Sequence, residues 1–153
     1  MKLAVDRNRL SGEIEELAAI SDAEAPAVTR VVFTPTDLKA RAWLKTRCEK
    51  AGLVVRQDAI GNVFARWTGR EASGAVVGTG SHIDAIPNAG KFEGVVGVLG
   101  GLEAIRALQR TGFRRSIRSS YSCLPRRNQR VSASVASGAA CCQGAFHPMP
   151  REN

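Results

Sequence analysis

Three stretches of the chain carry apolar residues at helical spacing, over residues 9–20, 34–51 and 95–108. Thr34 offers a hydroxyl cap and is followed by a proline, which suits the first position of a helix. Gly52 is a suitable C-terminal stop for the same helix. We therefore expect three helices, of which the third is the most apolar.

The third helix contains Gly97, Gly100 and Gly101. Each glycine weakens a helix by about 1 kcal/mol relative to alanine. Glycines kept at this cost usually permit close packing, so we expect this helix to lie directly against a sheet or a backbone segment.

Strand patterns occupy residues 53–58, 63–67 and 75–79. The first two are separated by a Gly61-Asn62 turn and are expected to form a hairpin, and the third is apolar enough for a sheet interior. The order helix, helix, strand, strand, strand, helix predicts an α/β fold, a layered sheet with flanking helices.

Candidate chemistry begins where the third strand ends. His82 and Asp84 are two residues apart, so in an extended segment they face the same side. A carboxylate beside an imidazole orients the ring and raises its basicity, an arrangement common around metal-bound histidine. Glu93 precedes the third helix, where a negative charge is favoured, and can reach the same pocket. These groups indicate half of a metal site that could activate water in a hydrolase.

Simpler interpretations stay open for each of these groups. His82 can be a surface-loop histidine without a ligand, and Glu93 can be a solvated acid of the first helical turn. Cys48 fits a core thiol better than a reactive one.

Charge and cysteines separate the chain into a body and a tail. The net charge is +8, but residues 114–153 hold seven arginines against one glutamate. Residues 116–153 are rich in Ser, Arg and Ala and lack apolar periodicity, so we expect the tail to be unstructured. A disordered basic segment binds phosphates in a salt-dependent way, so the alternative function is a non-catalytic protein or one whose basic tail binds nucleic acid or protein. The scarcity of aromatic residues in the tail argues against nucleic acid as a partner.

The cysteines do not show the paired C-x-x-C spacing of a structural zinc site. No signal-peptide pattern opens the chain, and its longest apolar run is shorter than a membrane span. We therefore expect a cytoplasmic protein with no membrane partner.

The segment GSHIDAIPNAGKFEGVVGVLGG, which ends at Gly101, resembles the first metal-binding motif of the M20-type metal-dependent amidohydrolases. The similarity is greatest to the branch of N-carbamoyl-L-amino-acid hydrolases and of allantoate and ureidoglycolate amidohydrolases. It extends through DAIGNVFARWTG and FTPTDLKARAWLKTRCEKAGL, and so covers residues 9–117. The resemblance implies that residues 1–117 are an incomplete, N-terminal part of a di-metal aminopeptidase-like catalytic domain. Composition assigns residues 118–153 to the unstructured tail.

The resemblance also implies roles for the three candidate residues. His82 would be a ligand of one metal ion, Zn or Mn, and Asp84 would be the supporting catalytic carboxylate. Glu93 holds the position of a carboxylate that bridges two metal ions, where the family pattern has Asp. The intact family hydrolyses a C–N bond of a small ureido or N-carbamoyl substrate, with water as nucleophile and a Glu as general base. Its dimers form through a domain that this chain lacks.

The family continues with a Glu-Glu pair and further histidine ligands that this chain does not show. His147 is its only other histidine. When the codons of residues 124–144 are read from the third base of each, the permitted residues include SEEEPTRFGIGCLGSRLLSG. That string agrees at 17 of 20 positions with the next family motif, TSEEPTRFGIGCLGSRLLAG. We therefore expect a shift of reading frame near residues 116–118, and a chain that is truncated, lacks the base and is inactive alone.

Overall fold

The computed structural model describes residues 3–68, 76–112 and 118–123. Its elements in chain order are helix α1 (Arg7–Ala18), strand β1 (Val28–Arg30), α2 (Pro35–Lys50), β2 (Val54–Gln57), β3 (Val63–Trp67), β4 (Val76–Ser81), β5 (Ala85–Ala89), α3 (Val95–Arg110) and β6 (Arg118–Cys123). The three predicted helices and three predicted strands are all present, with ends that differ by a few residues. The α/β fold class is confirmed.

Helix α2 begins and ends as the sequence predicts. The side chain of Thr34 accepts a hydrogen bond from the backbone N–H of Asp37, and Pro35 is the first helical residue. At the other end Gly52 has a φ of 73°, a left-handed conformation that glycine adopts without strain. Local signals are therefore sufficient to define this helix.

The described strands form two sheets. The larger has the order β2-β3-β6-β4, in which β4 and β6 are parallel and the other neighbours are antiparallel. The smaller pairs β1 with β5 in antiparallel fashion. The predicted β2–β3 hairpin is confirmed, with Val54 opposite Arg66 and Gln57 opposite Val63.

The helices and the larger sheet share one apolar core. Helix α2 packs on β2 and β3, α3 packs on β4 and β6, and α1 packs on α3. Leu17, Leu44, Val98, Leu99 and Leu102 are wholly buried there. Because each helix contributes one apolar face to this core, the amphipathic pattern of the sequence is explained.

Three expectations need correction. Strands β1 and β5 fall in stretches for which the sequence predicts no strand, and they form because each satisfies backbone hydrogen bonds of the other. Residues 118–123, assigned to the unstructured tail, form β6, which is hydrogen-bonded on both sides by β3 and β4. Strand β4 lies at the end of the strand order, with Val77 59% exposed, and is not an interior strand among the described residues. Residues 124–153 of the predicted tail lie outside the described residues.

No helix in the described ranges is both long enough and apolar enough to cross a membrane.

Candidate metal-site half at the end of strand β4

The His-x-Asp triplet is the connection between β4, which ends at Ser81, and β5, which begins at Ala85. The middle residue, Ile83, is 1% exposed and packs in the main core. Its burial anchors the triplet, so that His82 lies half-buried at the surface and the Asp84 side chain is buried. The predicted position, at the carboxyl end of a strand, is confirmed.

His82 and Asp84 are in direct contact. Nδ1 of the imidazole lies 3.2 Å from Oδ1 of the Asp84 carboxylate and 3.1 Å from the Asp84 backbone carbonyl oxygen. The carbonyl has the geometry of a hydrogen-bond acceptor, whereas the buried Oδ1 has no hydrogen-bond partner of good geometry within the described part of the chain. With Nδ1 directed at Asp84, the other ring nitrogen, Nε2, is the one suited to a metal ion.

The charges around His82 favour its protonated form. Contact with the Asp84 side chain is the largest influence and raises the pKa of His82 above its usual value, while partial burial opposes it. The carboxylate of Glu93 also raises this pKa. The structure therefore brings Glu93 close enough to His82 for their charges to interact.

Helix α3 begins against His82, and two glycines allow this contact. Gly94, its N-cap residue, has a φ of 68°, and a Cβ there would lie 2.5 Å from both Cε1 and the carbonyl oxygen of His82. A Cβ on Gly97 would lie 2.7 Å from Cβ of Ser81. The predicted close packing is confirmed at Gly97, but Gly100 has no atom within 4 Å of its Cβ position and needs another explanation.

The three predicted site residues are not equivalent in the structure. Histidine and carboxylate are donors that Zn and Mn accept, and the buried Oδ1 without a partner suits a carboxylate that supports a metal ligand. Glu93 is exposed and directly precedes the α3 cap. No three His, Cys, Asp or Glu residues among those described form a group that could hold a metal ion. The donor types suit a metal ion, but the described residues alone do not form a metal site, and the roles of His82, Asp84 and Glu93 stay predictions.

Two residues near the triplet were missed by sequence reasoning. Gly94 was overlooked because its need for a positive φ and for space beside His82 arises only in the folded chain. Arg30 is 1% exposed and donates a hydrogen bond to the carbonyl oxygen of Ile83. A single arginine next to the apolar run from Val31 to Phe33 was the available signal for it.

Comparison with known proteins supports the resemblance. No family model matches the chain. Ureidoglycolate hydrolase from Arabidopsis thaliana is 53% identical over 112 residues, which are 73% of this chain and 24% of that protein. N-carbamoyl-L-amino-acid amidohydrolase from Paenarthrobacter aurescens is 40% identical over 69% of this chain and 25% of its own length. The allantoate amidohydrolase of Bacillus subtilis is 38% identical, over 72% and 26%.

Solved structures agree with these relatives. AtUAH, crystallised in complex with glyoxylate, superposes with a TM-score of 0.76 at 49% identity, over 79% of this chain and 29% of that one. A hydantoinase/carbamoylase family amidase from Burkholderia ambifaria superposes with a TM-score of 0.75 at 36% identity, over 79% and 30%.

The chain is thus a homologue of the amidohydrolases that act on C–N bonds, as the resemblance predicts. Among the relatives compared above, ureidoglycolate hydrolase shares the highest identity with it. The chain spans about a quarter of the length of the curated relatives it matches.

Proposed function

We propose that the protein is part of a metal-dependent hydrolase that cleaves a linear amide or ureido C–N bond of a small N-carbamoyl amino acid, allantoate or ureidoglycolate. The observation that carries this proposal is the His82–Asp84 contact at the end of β4, in a chain 53% identical to a ureidoglycolate hydrolase. Membership in the M20-type family, a cytoplasmic location and a homodimeric intact enzyme stay predictions of the sequence.

The residues of this chain would divide the work as follows. Nε2 of His82 and the carboxylate of Glu93 would hold a Zn or Mn ion, which supplies polarisation of the substrate carbonyl and activation of water. Asp84 would fix the imidazole through Nδ1, so that Nε2 keeps one direction. Gly94 leaves room for the ring beside α3.

The described residues contain no side chain placed to act as the general base, and the topology indicates where one would enter. Strand β6 is parallel to β4, and its last residue, Cys123, pairs with Ser81. The chain therefore leaves β6 at the same edge of the sheet at which His82 follows β4. Here the sequence reads Leu124-Pro125-Arg126-Arg127, whereas the shifted frame permits Ser-Glu-Glu-Glu. This coincidence supports the proposal that the carboxylates are encoded in a frame that the chain does not use.

Sequencing the gene across residues 114–144 tests the frame. We expect nucleotides that spell SEEEPTRF in the shifted frame, and early stop codons there or a different spelling would contradict the proposal.

Ammonia release from allantoate, ureidoglycolate and N-carbamoyl amino acids tests the activity. We expect no turnover by the present chain and metal-dependent turnover once the frame is restored by a single-base change. His82→Ala in the frame-restored protein is the matched control and should be inactive. A folded, frame-restored and metal-loaded protein that releases no ammonia from any of the three substrates would contradict the proposed function.

The nucleic-acid alternative concerns residues 124–153, outside the described residues, and no observation favours it.

A further inference from the structure

Arg30 is a buried cation that contacts the backbone of the His-x-Asp triplet. Arg30 is 1% exposed, and its Nε donates a hydrogen bond of 2.7 Å to the carbonyl oxygen of Ile83. Nη1 donates to the carbonyl oxygens of Leu17, at 2.9 Å, and Ile20, at 2.6 Å, at the end of α1. One guanidinium therefore joins the end of α1 to the peptide between His82 and Asp84.

This contact restrains the triplet from a second direction. The side chain of Ile83 is fixed in the core, and its carbonyl is fixed by Arg30. Arg30 also lies opposite Ala85 in the β1–β5 pair, so its backbone holds the residue that follows Asp84. The backbone is therefore restrained on each side of Asp84, which limits the positions that its side chain can take beside His82.

The positive charge of Arg30 also interacts with the charge of Asp84. Its hydrogen bonds in the described chain go to backbone carbonyls, and no ion-pair contact to a carboxylate accompanies them. Burial lowers the pKa of Arg30, and the charges of Asp37 and Asp84 oppose this shift. A buried cation is costly when it is unpaired, so the three backbone hydrogen bonds of Arg30 help to hold it in place.

We propose that Arg30 is a positioning residue that orients the His82–Asp84 pair through its hydrogen bond to the Ile83 carbonyl. The relevance of this inference to a metal site rests on the proposed function, whereas the effect of Arg30 on the orientation of His82 and Asp84 does not.

The test compares Arg30→Met with Arg106→Met in the full chain. Arg106 is also a largely buried cation, and it binds Glu13 on the helical side through two hydrogen bonds of 2.7 and 2.9 Å. Both variants lose a buried charge, so general destabilisation should appear in both. We expect only Arg30→Met to shift the His82 ring signals in NMR spectra and to raise amide hydrogen exchange at residues 83–85 at least tenfold.

Arg30→Lys provides the second variant if Arg30→Met does not fold. Lysine keeps the charge but cannot make all three hydrogen bonds, so we expect a shift of the His82 signals between those of the parent and Arg30→Met. His82 signals that match the parent in the Arg30 variants, or that change equally in Arg106→Met, would overturn the proposal.

Titration with Mn²⁺ separates the two proposals. We expect Arg30→Met to weaken Mn²⁺ binding near His82 at least tenfold and Arg106→Met to leave it unchanged. If the parent itself does not bind Mn²⁺ near His82, the metal site of the proposed function fails, and the NMR comparison still decides the positioning role of Arg30.

Discussion

The surroundings of two buried carboxylates differ. Glu103 lies in helix α3, and Asp84 follows strand β4. Glu103 is 0% exposed, and its two oxygens accept hydrogen bonds from the backbone N–H of Asp6 and the guanidinium groups of Arg9 and Arg110. Asp84 is 4% exposed, and its Oδ1 has no hydrogen-bond partner of good geometry within the described chain. Full pairing is typical of a buried carboxylate, and an oxygen without a well-formed hydrogen bond is a cost that a functional group can justify.

An unpaired oxygen alone does not distinguish the two regions. Asp37 is also buried, and its Oδ1 is likewise without a partner among the described residues. Its other oxygen, however, is bound by the Phe33 N–H and by Arg41 at 2.6 Å, which ties it into the fold. Asp84 differs because its close polar neighbour is an imidazole that faces the surface.

The largest expected effect compares neutral substitutions of these carboxylates. Glu103→Gln should lower the free energy of unfolding by about 2 kcal/mol, because it removes charge-assisted hydrogen bonds to two arginines whose partial exposure limits the loss. Asp84→Asn should cost less than about 1 kcal/mol, because it removes no well-formed hydrogen bond at Oδ1. Urea denaturation measures both, and equal losses would contradict the distinction between the two regions.

The pH dependence sharpens the comparison. Burial disfavours the Glu103 carboxylate, but the hydrogen bonds from Asp6, Arg9 and Arg110 outweigh it and lower the pKa of Glu103 below its usual value of 4.5. The pKa of Glu103 is thus lower in the folded than in the unfolded chain. The stabilisation of the fold by its carboxylate is therefore fully present above the unfolded pKa and is lost as pH falls through the folded pKa. The difference in stability between the parent and Glu103→Gln should therefore shrink on acidification below pH 4.5. A difference that stays constant down to about pH 3 would exclude this role.

Next in size is the effect of a methyl group at the start of α3. Gly94→Ala should lower stability by about 1–2 kcal/mol, because alanine is strained at positive φ, and should displace His82. Gly90→Ala is the matched control, since its Cβ position has no atom within 4 Å and its φ is not positive. NMR signals of the His82 ring should move in Gly94→Ala and stay in place in Gly90→Ala. The same ring signals in both variants would show that α3 does not constrain the imidazole.

The smallest effect compares two glycines within α3. Gly97→Ala should destabilise the chain by about 1 kcal/mol or more, because its Cβ would overlap Ser81. Gly100→Ala should stabilise it by about 0.5–1 kcal/mol, because open space surrounds the position and alanine favours helix. Thermal unfolding of the two variants gives the signs, and a common sign would contradict the packing described for this helix.

The sequence predicts elements that depend on local signals and misses those that depend on distant partners. Helix α2 follows from Thr34 and Gly52, which act on their own neighbours. Strand β1 has only three residues and pairs with β5, more than 50 positions along the chain. Strand β6 shows no alternation of apolar and polar residues, and its pairing with β3 and β4 defines it.

The candidate site divides in the same way. His82, Asp84 and Glu93 can be selected from a motif, because their residue types and spacing are visible in the chain. Arg30 and Gly94 act by contacts with the triplet, so the folded structure was needed to find them.

The central claim is that His82 and its neighbours form one side of a metal centre. Titration of the isotope-labelled chain with Mn²⁺, followed by NMR, tests it most directly, because the paramagnetic ion broadens nearby signals and binds nitrogen and oxygen donors in preference to the tail thiols. We predict that the signals of residues 82–84 and 93–94 broaden first, and that His82→Ala abolishes this response. Broadening that leaves these residues unaffected, or that is the same in His82→Ala, would contradict the account.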